Sequence, residues 1–479
     1  MNQLDTQLAV IGAGPGGYAA AFMAADLGLK VTLIDSQPNP GGVCLYRGCI
    51  PSKALLHIAG VILASQQAGE QGITFQPPHI DTAKLGRWKN DVVDQLTGGL
   101  GQLAKQRRVT YIRGTAAFSD RRSLRVNLKG GDTQKISFEK AIIATGSRAT
   151  SLPGTMFQSE RLMTATDALE IQSIPAKLLV VGGGYIGLEM GTIYAALGSR
   201  VTLVEMTGGL LPGVDRDLVR VLKKRIDGLF ESLLFETTVK TMKAQKNGLH
   251  VVLSDNQDKE QTRIFDQALV AVGRTPNTTD LGLEKARIDV DETGFIQVDH
   301  RQQTSAQSIF AVGDVVGEPM LAHKAIHEGR VAAEVIAGRK VASEPAAIPA
   351  VVFTDPEIAW AGLTEMEAKK RGVDCTVTRF PWGASGRAAT LGRSDGLTKL
   401  LVDQRNEQIL GVGIVGPDAG ELIAAGVLAI EMGANATDLG LSIHPHPTLS
   451  ETLMEAAQAL HGNATSFYRP LKRDSKAET

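Results

Sequence analysis

Two cysteines lie five positions apart near the N-terminus, in the stretch Gly41–His57 (GGVCLYRGCIPSKALLH). A disulfide between Cys44 and Cys49 would close a very small loop, so it would stabilise the fold little. In a cytosolic chain, such a close pair is more often redox-active or metal-binding. Zinc would need further ligands, but the one remaining cysteine is Cys375 and the nearest histidine is His57. The pair therefore predicts thiol–disulfide chemistry and no metal site, with two buried unpaired thiols as the alternative.

Pro51 follows the second cysteine and suits the first residue of a helix that runs through His57. Cys49 would then lie at a helix N-terminus, where the pKa of a thiol is lowered and the thiolate is favoured.

A second reactive stretch lies near the C-terminus, at Ile443–Glu451 (IHPHPTLSE). Pro447 is predicted to start an apolar-periodic helix through Ala456, which places His446 at its N-terminus. A histidine oriented by a carboxylate is a general base near neutral pH, and thiol oxidation needs one because the thiolate is the nucleophile. The spacing alone does not decide whether Glu451 contacts the imidazole, and either histidine taken alone could simply pack.

An internal repeat supplies the elements around these residues. Ile11–Asp35 and Val181–Glu205 align with each other without a gap. Each copy has an apolar strand, a G-x-G-x-x-G turn, a helix, a second apolar strand and an acid. The first glycine permits a tight turn, the second admits a pyrophosphate, and the third packs helix on strand. Two structural turns are the alternative, but two full copies favour two dinucleotide sites, with glycines at Gly12, Gly14 and Gly17 and at Gly182, Gly184 and Gly187.

The acid that ends each copy bears on the choice of cofactor. Asp35 and Glu205 follow the first glycine of their copies at the same interval, which is near the spacing expected for a ribose contact. A carboxylate accepts hydrogen bonds from ribose hydroxyls and repels a 2′-phosphate. No arginine follows Glu205 in the stretch up to Gly209, so the second site is predicted to prefer NAD over NADP.

Composition excludes several classes of protein. The chain has Lys+Arg 50 and Asp+Glu 51, a formal net charge of -1. A near-neutral chain lacks the positive field that attracts a nucleic acid. Three cysteines in 479 residues cannot form a disulfide framework, which favours a reducing, cytoplasmic location. The N-terminus has no basic region typical of a secretory signal. The apolar stretch Leu178–Ser199 is predicted to be a strand, turn and helix rather than a membrane span.

The motif GGxCxxxxCIPSK resembles the redox-active disulfide motif of the pyridine nucleotide–disulfide oxidoreductases, and among them the dihydrolipoamide dehydrogenases. The resemblance runs from about Gln7 to about His461. Further matching segments, which line the two cofactors in the family, are Ile142–Ser147 (IIATGS), Val270–Asn277 (VAVGRTPN), Phe310–Asp314 (FAVGD) and Met320–Ala325 (MLAHKA).

The resemblance implies FAD at the first site and NAD at the second. Asp314 matches the acid that holds the ribityl chain of FAD, Ala116 an adenine-side contact and Ala322 a backbone contact to the flavin. The other implied FAD residues are Gly12, Gly14, Gly17, Asp35, Gly42 and Lys53. The implied NAD residues are Gly182, Gly184, Tyr185, Gly187, Glu205, Val239, Gly273 and Arg274, with Tyr185 also a candidate aromatic gate over the flavin.

The resemblance also implies separate roles for the reactive side chains. Cys44 would be the interchange thiol, and Cys49 would lie against the flavin in a charge-transfer complex. Lys53 matches the lysine near the reactive flavin nitrogen, and Glu189 its ion-pair partner. The motif HxHPTxxE matches the segment that carries the catalytic His–Glu pair of the family, and the pair falls on His446 and Glu451.

In the family this pair reaches the disulfide of the other subunit, so the resemblance implies an obligate homodimer. It further implies oxidation of dihydrolipoamide on lipoyl domains, in 2-oxo acid dehydrogenase or glycine cleavage complexes. Tyr46-Arg47 stands where the family commonly has Asn-Val, and Asp35 where it usually has Glu. Two alternatives are another NAD(P)H-dependent disulfide reductase and a mainly structural assembly subunit. No nucleic acid or membrane partner is expected.

The predicted fold is α/β, with two Rossmann-like FAD/NAD(P)-binding domains and a C-terminal α+β dimerisation domain. The predicted divisions are an FAD domain at 1–150, an NAD domain at 151–273, a central FAD-contacting segment at 274–345, a dimerisation domain at 346–470 and a polar tail at 471–479. In the dimerisation domain, Thr364 and Glu367 predict a helix-starting capping box, and Gly372 the end of that helix. Leu397–Val402 and Ile409–Val415 predict a hairpin.

Overall fold

The computed structural model describes residues 3–150 and 159–468. The chain divides into two units: the first comprises Met1–His57, Pro77–Ser173 and Val270–Glu344, and the second Ile58–Gln76, Ile174–Leu269 and Pro345–Thr479. The predicted segments 1–150 and 274–345 thus lie for the most part in the first unit, and 151–273 and 346–470 for the most part in the second. The predicted tail at 471–479 and the predicted boundary at 150/151, which adjoins residues 151–158, lie outside the described residues.

The elements of the N-terminal part are, in chain order, β1 (Gln3–Ile11), α1 (Pro15–Asp26), β2 (Val31–Asp35), α2 (Gly42–Arg47), α3 (Cys49–Gln67), α4 (Thr82–Gln106), β3 (Thr110–Asp120), β4 (Ser123–Leu128), β5 (Thr133–Ile143), β6 (Ser147–Ala149), β7 (Leu162–Met163) and α5 (Ala165–Ala168).

The middle of the chain forms β8 (Lys177–Val181), α6 (Tyr185–Ala196), β9 (Arg200–Val204), α7 (Arg216–Leu229), β10 (Ser232–Leu234), β11 (Thr238–Gln245), β12 (Gly248–Ser254), β13 (Glu260–Phe265), β14 (Gln267–Val270), β15 (Arg274–Pro276), α8 (Leu283–Ala286), β16 (Ile309–Ala311) and α9 (Ala322–Ile336).

The C-terminal part forms β17 (Ala350–Val352), β18 (Glu357–Gly362), α10 (Glu365–Arg371), β19 (Cys375–Pro381), α11 (Gly386–Thr390), β20 (Leu397–Asp403), β21 (Ile409–Gly416), α12 (Ala419–Glu431), α13 (Ala436–Leu441) and α14 (Glu451–Gln458). Short 3-10 turns occur at Ala68–Gln71, Gly313–Val316 and Trp382–Ala384.

A parallel sheet of order β3-β2-β1-β5-β16 is the centre of the first unit. Strand β1 is buried on both faces over its C-terminal half. Leu8 and Val10 pack with residues of α1, α4 and α9, whereas Ala9 and Ile11 pack with residues of β3 and β4. A continuous apolar run is typical of a parallel strand covered on both faces. The far ends of β3 and β5 join β4 in an antiparallel meander.

The second unit contains the second copy of the repeat. Strand β8, helix α6 and strand β9 follow one another as β1, α1 and β2 do, and α6 begins at Tyr185, which aligns with Pro15 at the start of α1. Its sheet has the order β10-β9-β8-β14, and β11, β12 and β13 form a separate antiparallel sheet. The repeat predicted from the sequence is therefore confirmed as two nucleotide-binding folds.

An antiparallel sheet of order β17-β18-β21-β20-β19 forms the C-terminal part of the second unit, with α12 and α14 packed against it. The predicted hairpin is confirmed as β20 and β21. The capping box is also confirmed: the Glu367 amide donates to the Thr364 hydroxyl at 3.1 Å, and the Thr364 amide to the Glu367 carboxylate at 3.1 Å. Gly372 ends α10 with φ of 67°.

One stretch of the described residues, Gly42–Gln71, is long and apolar enough to cross a membrane by length and composition alone. Core helices of soluble proteins pass the same test. The stretch contains α2 and α3, which carry the two cysteines and Lys53.

Candidate active site

The three glycines of the first repeat have different surroundings. Gly12 has φ of +96°, and a Cβ on it would lie 2.3 Å from the carbonyl oxygen of Ala144. A Cβ on Gly17 would lie 1.8 Å from the carbonyl oxygen of Gly12. A Cβ on Gly14 would instead meet only the Cα of Gly42, at 3.8 Å. The chain itself requires the first and third glycines, and the second leaves space at the start of α1, where a pyrophosphate binds in such a motif.

The second repeat has the same arrangement. Gly182 has φ of +110°, and a Cβ on Gly187 would lie 2.1 Å from the Gly182 carbonyl oxygen. A Cβ on Gly184 would meet nothing within 4 Å. Tyr185 is the first residue of α6, and its side chain is exposed. Both turns therefore fit a dinucleotide pyrophosphate, and the assignment of FAD to the first and NAD to the second stays a prediction.

The acids of the two repeats bond to their own glycine turns. Asp35 Oδ2 accepts from the Ala13 amide at 2.7 Å, and Glu205 Oε2 accepts from the Gly183 amide at 2.7 Å. The second oxygen of each acid accepts from a backbone amide just further along the chain, at 2.9 and 2.8 Å. Aspartate thus makes the same bonds as glutamate despite its shorter reach. The sequence reasoning missed this turn-closing role, for which the equal spacing of the acids was the available signal. Each carboxylate oxygen keeps a lone pair for a ribose hydroxyl.

The two cysteines lie on consecutive helices. Cys44 is in α2, and Cys49 is the first residue of α3, as predicted for a thiol at a helix N-terminus. The prediction that the helix begins at Pro51 is wrong, because α3 already begins at Cys49. Proline is tolerated there because the first-turn amides have no partners within the helix, so its missing N–H costs nothing.

The structure holds Cys44 and Cys49 as thiols that hydrogen-bond to each other. This hydrogen bond, together with burial, raises the pKa of the Cys44 thiol, while the charge of Lys53 acts in the opposite direction. The position of Cys49 at a helix N-terminus favours its thiolate form. Burial and the two cysteine charges raise the pKa of Tyr18, on α1, to about 12. Tyr18 is a neighbour of the thiols that the sequence reasoning missed.

Lys53 and Glu189 belong to different units, so the ion pair that the resemblance implies stays a prediction. Lys53 lies on α3, one turn after Cys49. Glu189 lies on α6 and is only 3% exposed. Its Oε1 accepts a hydrogen bond from the Phe353 amide at 3.1 Å, within the second unit. The backbone of the C-terminal segment thus partly satisfies this buried carboxylate.

Asp314 lies in the 3-10 turn Gly313–Val316. The first amide of this turn donates to Glu328 Oε2 at 2.7 Å, and Lys324 pairs with the other oxygen of Glu328 at 2.9 Å. Ala322, the predicted flavin contact, is the first residue of α9, which carries both of these charged side chains. The sequence reasoning missed Glu328, a buried acid among the alanines and valines of the helix.

The remaining predicted contacts are distributed over both units. Ala116 is buried on β3, and Val239 lies on β11. Gly273 has φ of +124° and precedes Arg274 at the start of β15. The Arg274 guanidinium donates to the Ser147 hydroxyl, in the first unit. The cofactor roles of these residues stay predictions.

His446 and Glu451 contact each other. Nδ1 of His446 lies 2.9 Å from Oε1 of Glu451, and Oε2 accepts from the Thr448 amide at 2.7 Å. Burial of the carboxylate raises its pKa, but the bonds from Thr448 and His446 outweigh burial and hold the pKa of Glu451 below its usual range. The His446 side chain is 78% exposed. Because Glu451 bonds to Nδ1, the second ring nitrogen of this exposed histidine is Nε2.

The predicted start of the last helix at Pro447 is wrong, because α14 begins at Glu451. In the intervening turn the Thr448 hydroxyl bonds to the Pro445 carbonyl at 2.7 Å and to the Ser450 hydroxyl at 2.8 Å. Such local side-chain bonds compete with helix formation. His444 Nδ1 bonds to the carbonyl of Ser442, just past the end of α13, at 2.8 Å.

Comparison with known families accounts for this combination of two nucleotide turns and a paired thiol. Residues 6–329 match the family described as pyridine nucleotide-disulphide oxidoreductase, and residues 348–457 match its dimerisation domain. The chain belongs to the pyridine nucleotide-disulphide oxidoreductase family.

Full-length relatives in this family carry the name dihydrolipoyl dehydrogenase. That of Vibrio cholerae is 46% identical over 97% of this chain and 98% of its own length, and that of Thermus scotoductus is 49% identical over 95% and 98%. Among solved structures, LpdA from Mycobacterium tuberculosis superposes with a TM-score of 0.88 at 26% identity, covering 95% of this chain and 99% of its own. The flavoprotein disulfide reductase RclA from Escherichia coli superposes with a TM-score of 0.85 at 29% identity, covering 96% and 100%.

As a pyridine nucleotide-disulphide oxidoreductase, the chain is a flavoprotein enzyme that uses FAD and NAD. The dimerisation domain makes a homodimer its expected assembly. Large apolar side chains are exposed within this domain at Leu428, Met432, Leu441 and Ile443, the last 98% exposed. Large exposed apolar side chains are common on surfaces that a partner covers.

A cluster of three carboxylates lies in the same unit, at Asp215, Asp217 and Glu365. The ammonium of Lys399 lies between them, at 2.5, 2.9 and 2.6 Å, and is 1% exposed. Arg379 pairs with two of these acids. The cluster therefore holds cationic side chains of the chain itself.

Proposed function

We propose that this chain oxidises protein-bound dihydrolipoamide to lipoamide with NAD⁺ as acceptor. The observation that carries the proposal is the near-full-length similarity to enzymes named dihydrolipoyl dehydrogenase, at 43% to 49% identity. The paired thiols of Cys44 and Cys49 and the exposed His446–Glu451 pair supply the groups that this reaction needs.

The first half of the reaction is a thiol–disulfide exchange. His446 Nε2 takes a proton from one substrate thiol, and the thiolate attacks Sγ of Cys44 in the Cys44–Cys49 disulfide. Cys49 leaves as a thiolate. The second substrate thiol then loses its proton to the Cys49 thiolate and attacks the substrate sulfur of the mixed disulfide. Cys44 is released and takes the proton held by His446. The substrate loses two electrons and two protons and becomes a cyclic disulfide, and the cysteines become the thiol pair that the structure holds.

The placement of the two cysteines supports this order of events. Cys49 is the first residue of α3, and a helix N-terminus favours the thiolate, so Cys49 is the better leaving group. The chemistry that FAD supplies, when bound, is transfer of an electron pair between a dithiol and the nicotinamide ring. Lys53, one turn after Cys49 on α3, would balance the negative charge of the thiol pair.

Two partners follow from the proposal. The His446–Glu451 pair would serve the thiols of the second subunit, since its histidine is exposed near apolar side chains in the dimerisation domain. The substrate would be a lipoyl domain of an acyltransferase or of a glycine-cleavage carrier protein. A cytoplasmic location agrees with a reactive thiol pair and no disulfide framework.

The test is NADH formation by the purified yellow protein with dihydrolipoamide and NAD⁺. NADP⁺ and reduced glutathione are the matched alternatives. We expect turnover with dihydrolipoamide and NAD⁺, and a much lower kcat/KM with NADP⁺ because Glu205 repels a 2′-phosphate. If NADH reduces the flavin but dihydrolipoamide is not turned over, the family assignment would stand and the proposed substrate would be rejected. Equal kcat/KM for NADP⁺ and NAD⁺ would reject the role of Glu205.

A further inference from the structure

Arg274 contacts Ser147, whose hydroxyl in turn bonds to Asp314, the acid that the resemblance assigns to the ribityl chain of FAD. Its Nε donates to the Ser147 hydroxyl oxygen at 2.7 Å, and its Nη2 donates to the Ser147 carbonyl oxygen at 2.9 Å. The Ser147 hydroxyl lies 2.5 Å from Oδ2 of Asp314, and Arg274 Nε lies 3.8 Å from the same oxygen. All three residues belong to the first unit. Arg274 and Asp314 are 19% and 22% exposed, and Ser147 is 3% exposed.

The direction of these hydrogen bonds is fixed by chemistry. A guanidinium can only donate, so the Ser147 oxygen accepts from Arg274. The single hydroxyl hydrogen of Ser147 is then directed at the carboxylate of Asp314. An ionised carboxylate has no hydrogen to donate, so it accepts this bond. The charge of Arg274 therefore polarises the hydroxyl that orients Asp314.

The backbone fixes both ends of this arrangement. Strands β6 and β15 pair, with Arg274 opposite Ala149 and Pro276 opposite Ser147. Ser147 is thus the diagonal cross-strand neighbour of Arg274, within reach of its long side chain. At the other end, Glu328 accepts from the first amide of the turn that carries Asp314. Within residues 3–150 and 159–468, no donor of the chain reaches the other oxygen of Asp314, Oδ1. This oxygen is the one left for a hydroxyl of a bound ligand.

We propose that Arg274, acting through Ser147, positions Asp314 for FAD, in place of the NAD contact that the resemblance implies for it. The inference rests on FAD loading, which the family provides, and it does not depend on the substrate under "Proposed function". Arg274 is a positioning residue, so its removal changes FAD affinity and leaves NAD affinity intact.

The experiment measures two affinities on the same holoenzymes. FAD release is followed by the recovery of flavin fluorescence on dilution, and NAD⁺ binding to the oxidised enzyme by calorimetry. Arg274→Met and Ser147→Ala are each expected to raise the Kd of FAD roughly ten- to a hundredfold, as for the loss of a hydrogen bond to a charged group. The Kd of NAD⁺ is expected to stay at the wild-type value in both variants.

Arg148→Met is the matched control. Arg148 is the next residue on β6 and is exposed, and it donates to the Pro276 carbonyl at 2.9 Å, across the same strand pair. If Arg274 served only to hold the strands together, R148M and R274M would weaken FAD binding alike. We expect R148M to leave the Kd of FAD unchanged. If R274M does not fold, Arg274→Lys replaces it in the comparison with R148M. Lysine keeps the positive charge but cannot donate from two nitrogens to the two Ser147 oxygens.

A double variant tests whether Arg274 acts through Ser147. If it does, R274M combined with S147A costs no more FAD affinity than the larger single effect. Fully additive losses would reject the route through Ser147. A rise of tenfold or more in the Kd of NAD⁺ for R274M, with FAD binding unchanged, would reject the proposal and restore the NAD contact.

Discussion

Nδ1 of His446 donates to Oε1 of Glu451 across 2.9 Å. The carboxylate can only accept, because its bonds to Thr448 and His446 hold the pKa of Glu451 below its usual range. The proton of a neutral His446 ring therefore resides on Nδ1, and Nε2 carries the basic lone pair. The contact with Glu451 thus fixes the tautomer of His446 as well as the position of its ring.

Replacing this histidine is expected to remove the general base. His446→Gln should lower kcat for dihydrolipoamide oxidation by a factor on the order of 10²–10⁴. Glu451→Gln should lose less, since the base remains but its tautomer is no longer fixed. His444→Gln is the control, because that ring bonds to the backbone carbonyl of Ser442 and not to the Glu451 carboxylate among the described residues. Steady-state assays decide the point, and full activity in H446Q would reject the assignment.

Loss of either thiol of the pair should separate the two halves of the reaction. Cys44→Ser and Cys49→Ser are each expected to lower dihydrolipoamide oxidation by about 10³-fold or more, as for loss of a nucleophile. Both variants should stay yellow and should still be reduced by NADH, which anaerobic spectra would show. Cys375→Ser, on β19, is the matched control with normal turnover. Substantial dihydrolipoamide turnover in C44S would contradict the exchange mechanism.

The second and third glycines of the NAD turn should respond differently to alanine. A Cβ on Gly187 would lie 2.1 Å from a backbone oxygen, so Gly187→Ala should lower the thermal stability of the protein. A Cβ on Gly184 meets no atom of the chain within 4 Å, so Gly184→Ala should fold normally. The methyl group of G184A would occupy space left for the pyrophosphate, so NAD⁺ should bind more weakly. Calorimetry of NAD⁺ binding tests this, and unchanged affinity in G184A would place the cofactor elsewhere.

The buried ammonium of Lys399 is expected to be a strong determinant of stability. Lys399→Met would leave three carboxylates together without their cation, at a cost of about 3–5 kcal/mol in unfolding free energy. Lys223→Met is the control, because its pair with Asp227 at 2.6 Å is exposed on both sides. A surface pair of this kind contributes less than about 1 kcal/mol. Chemical unfolding measures the loss of unfolding free energy in K399M and in K223M. Equal losses in the two variants would contradict the importance of the buried cluster.

The same cluster predicts a dependence of stability on acid pH. Burial raises the pKa of Asp217, but the bonds from Lys399 and Arg379 outweigh burial and hold the pKa below the ordinary value of 3.8. A carboxylate with a depressed pKa stabilises the fold above its ordinary pKa, and this contribution is lost as the pH falls through the folded value. The stability difference between wild type and Asp217→Asn should therefore be largest at neutral pH and shrink below about pH 4. Melting curves across this range test it, and a constant difference would contradict it.

Features whose signal lies within a few residues could be predicted from the sequence. The glycine turns, the thiol at a helix N-terminus and the capping box of Thr364 each depend on local spacing, and the structure has all three. Both misplaced helix starts also have local causes. Proline at the third position of α3 is as acceptable as at the first, and the side chains of Thr448 and Ser450 satisfy a turn that the apolar period does not reveal.

Long-range pairings could not be predicted in this way. Lys399 lies on β20 and meets Asp215 and Asp217 at the start of α7, far away in the sequence, and nothing in their spacing indicates the contact. The bond between Ser147 and Asp314 likewise joins distant parts of the chain. The family resemblance implies an NAD contact for Arg274, but only the structure shows that its guanidinium contacts Ser147.

The position of β16 has a consequence for synthesis on the ribosome. This strand, Ile309–Ala311, pairs with the end of β5 at Ala141–Ile143, and α9 packs against α1. The residues of β5 emerge long before their partner strand has been made, because the whole second copy of the repeat lies between them. A nascent chain that ends between the two strands presents an apolar, unpaired strand edge, which is a site for chaperone binding or aggregation. Fragments that end before Ile309 should therefore be insoluble even though they contain both glycine turns and both cysteines.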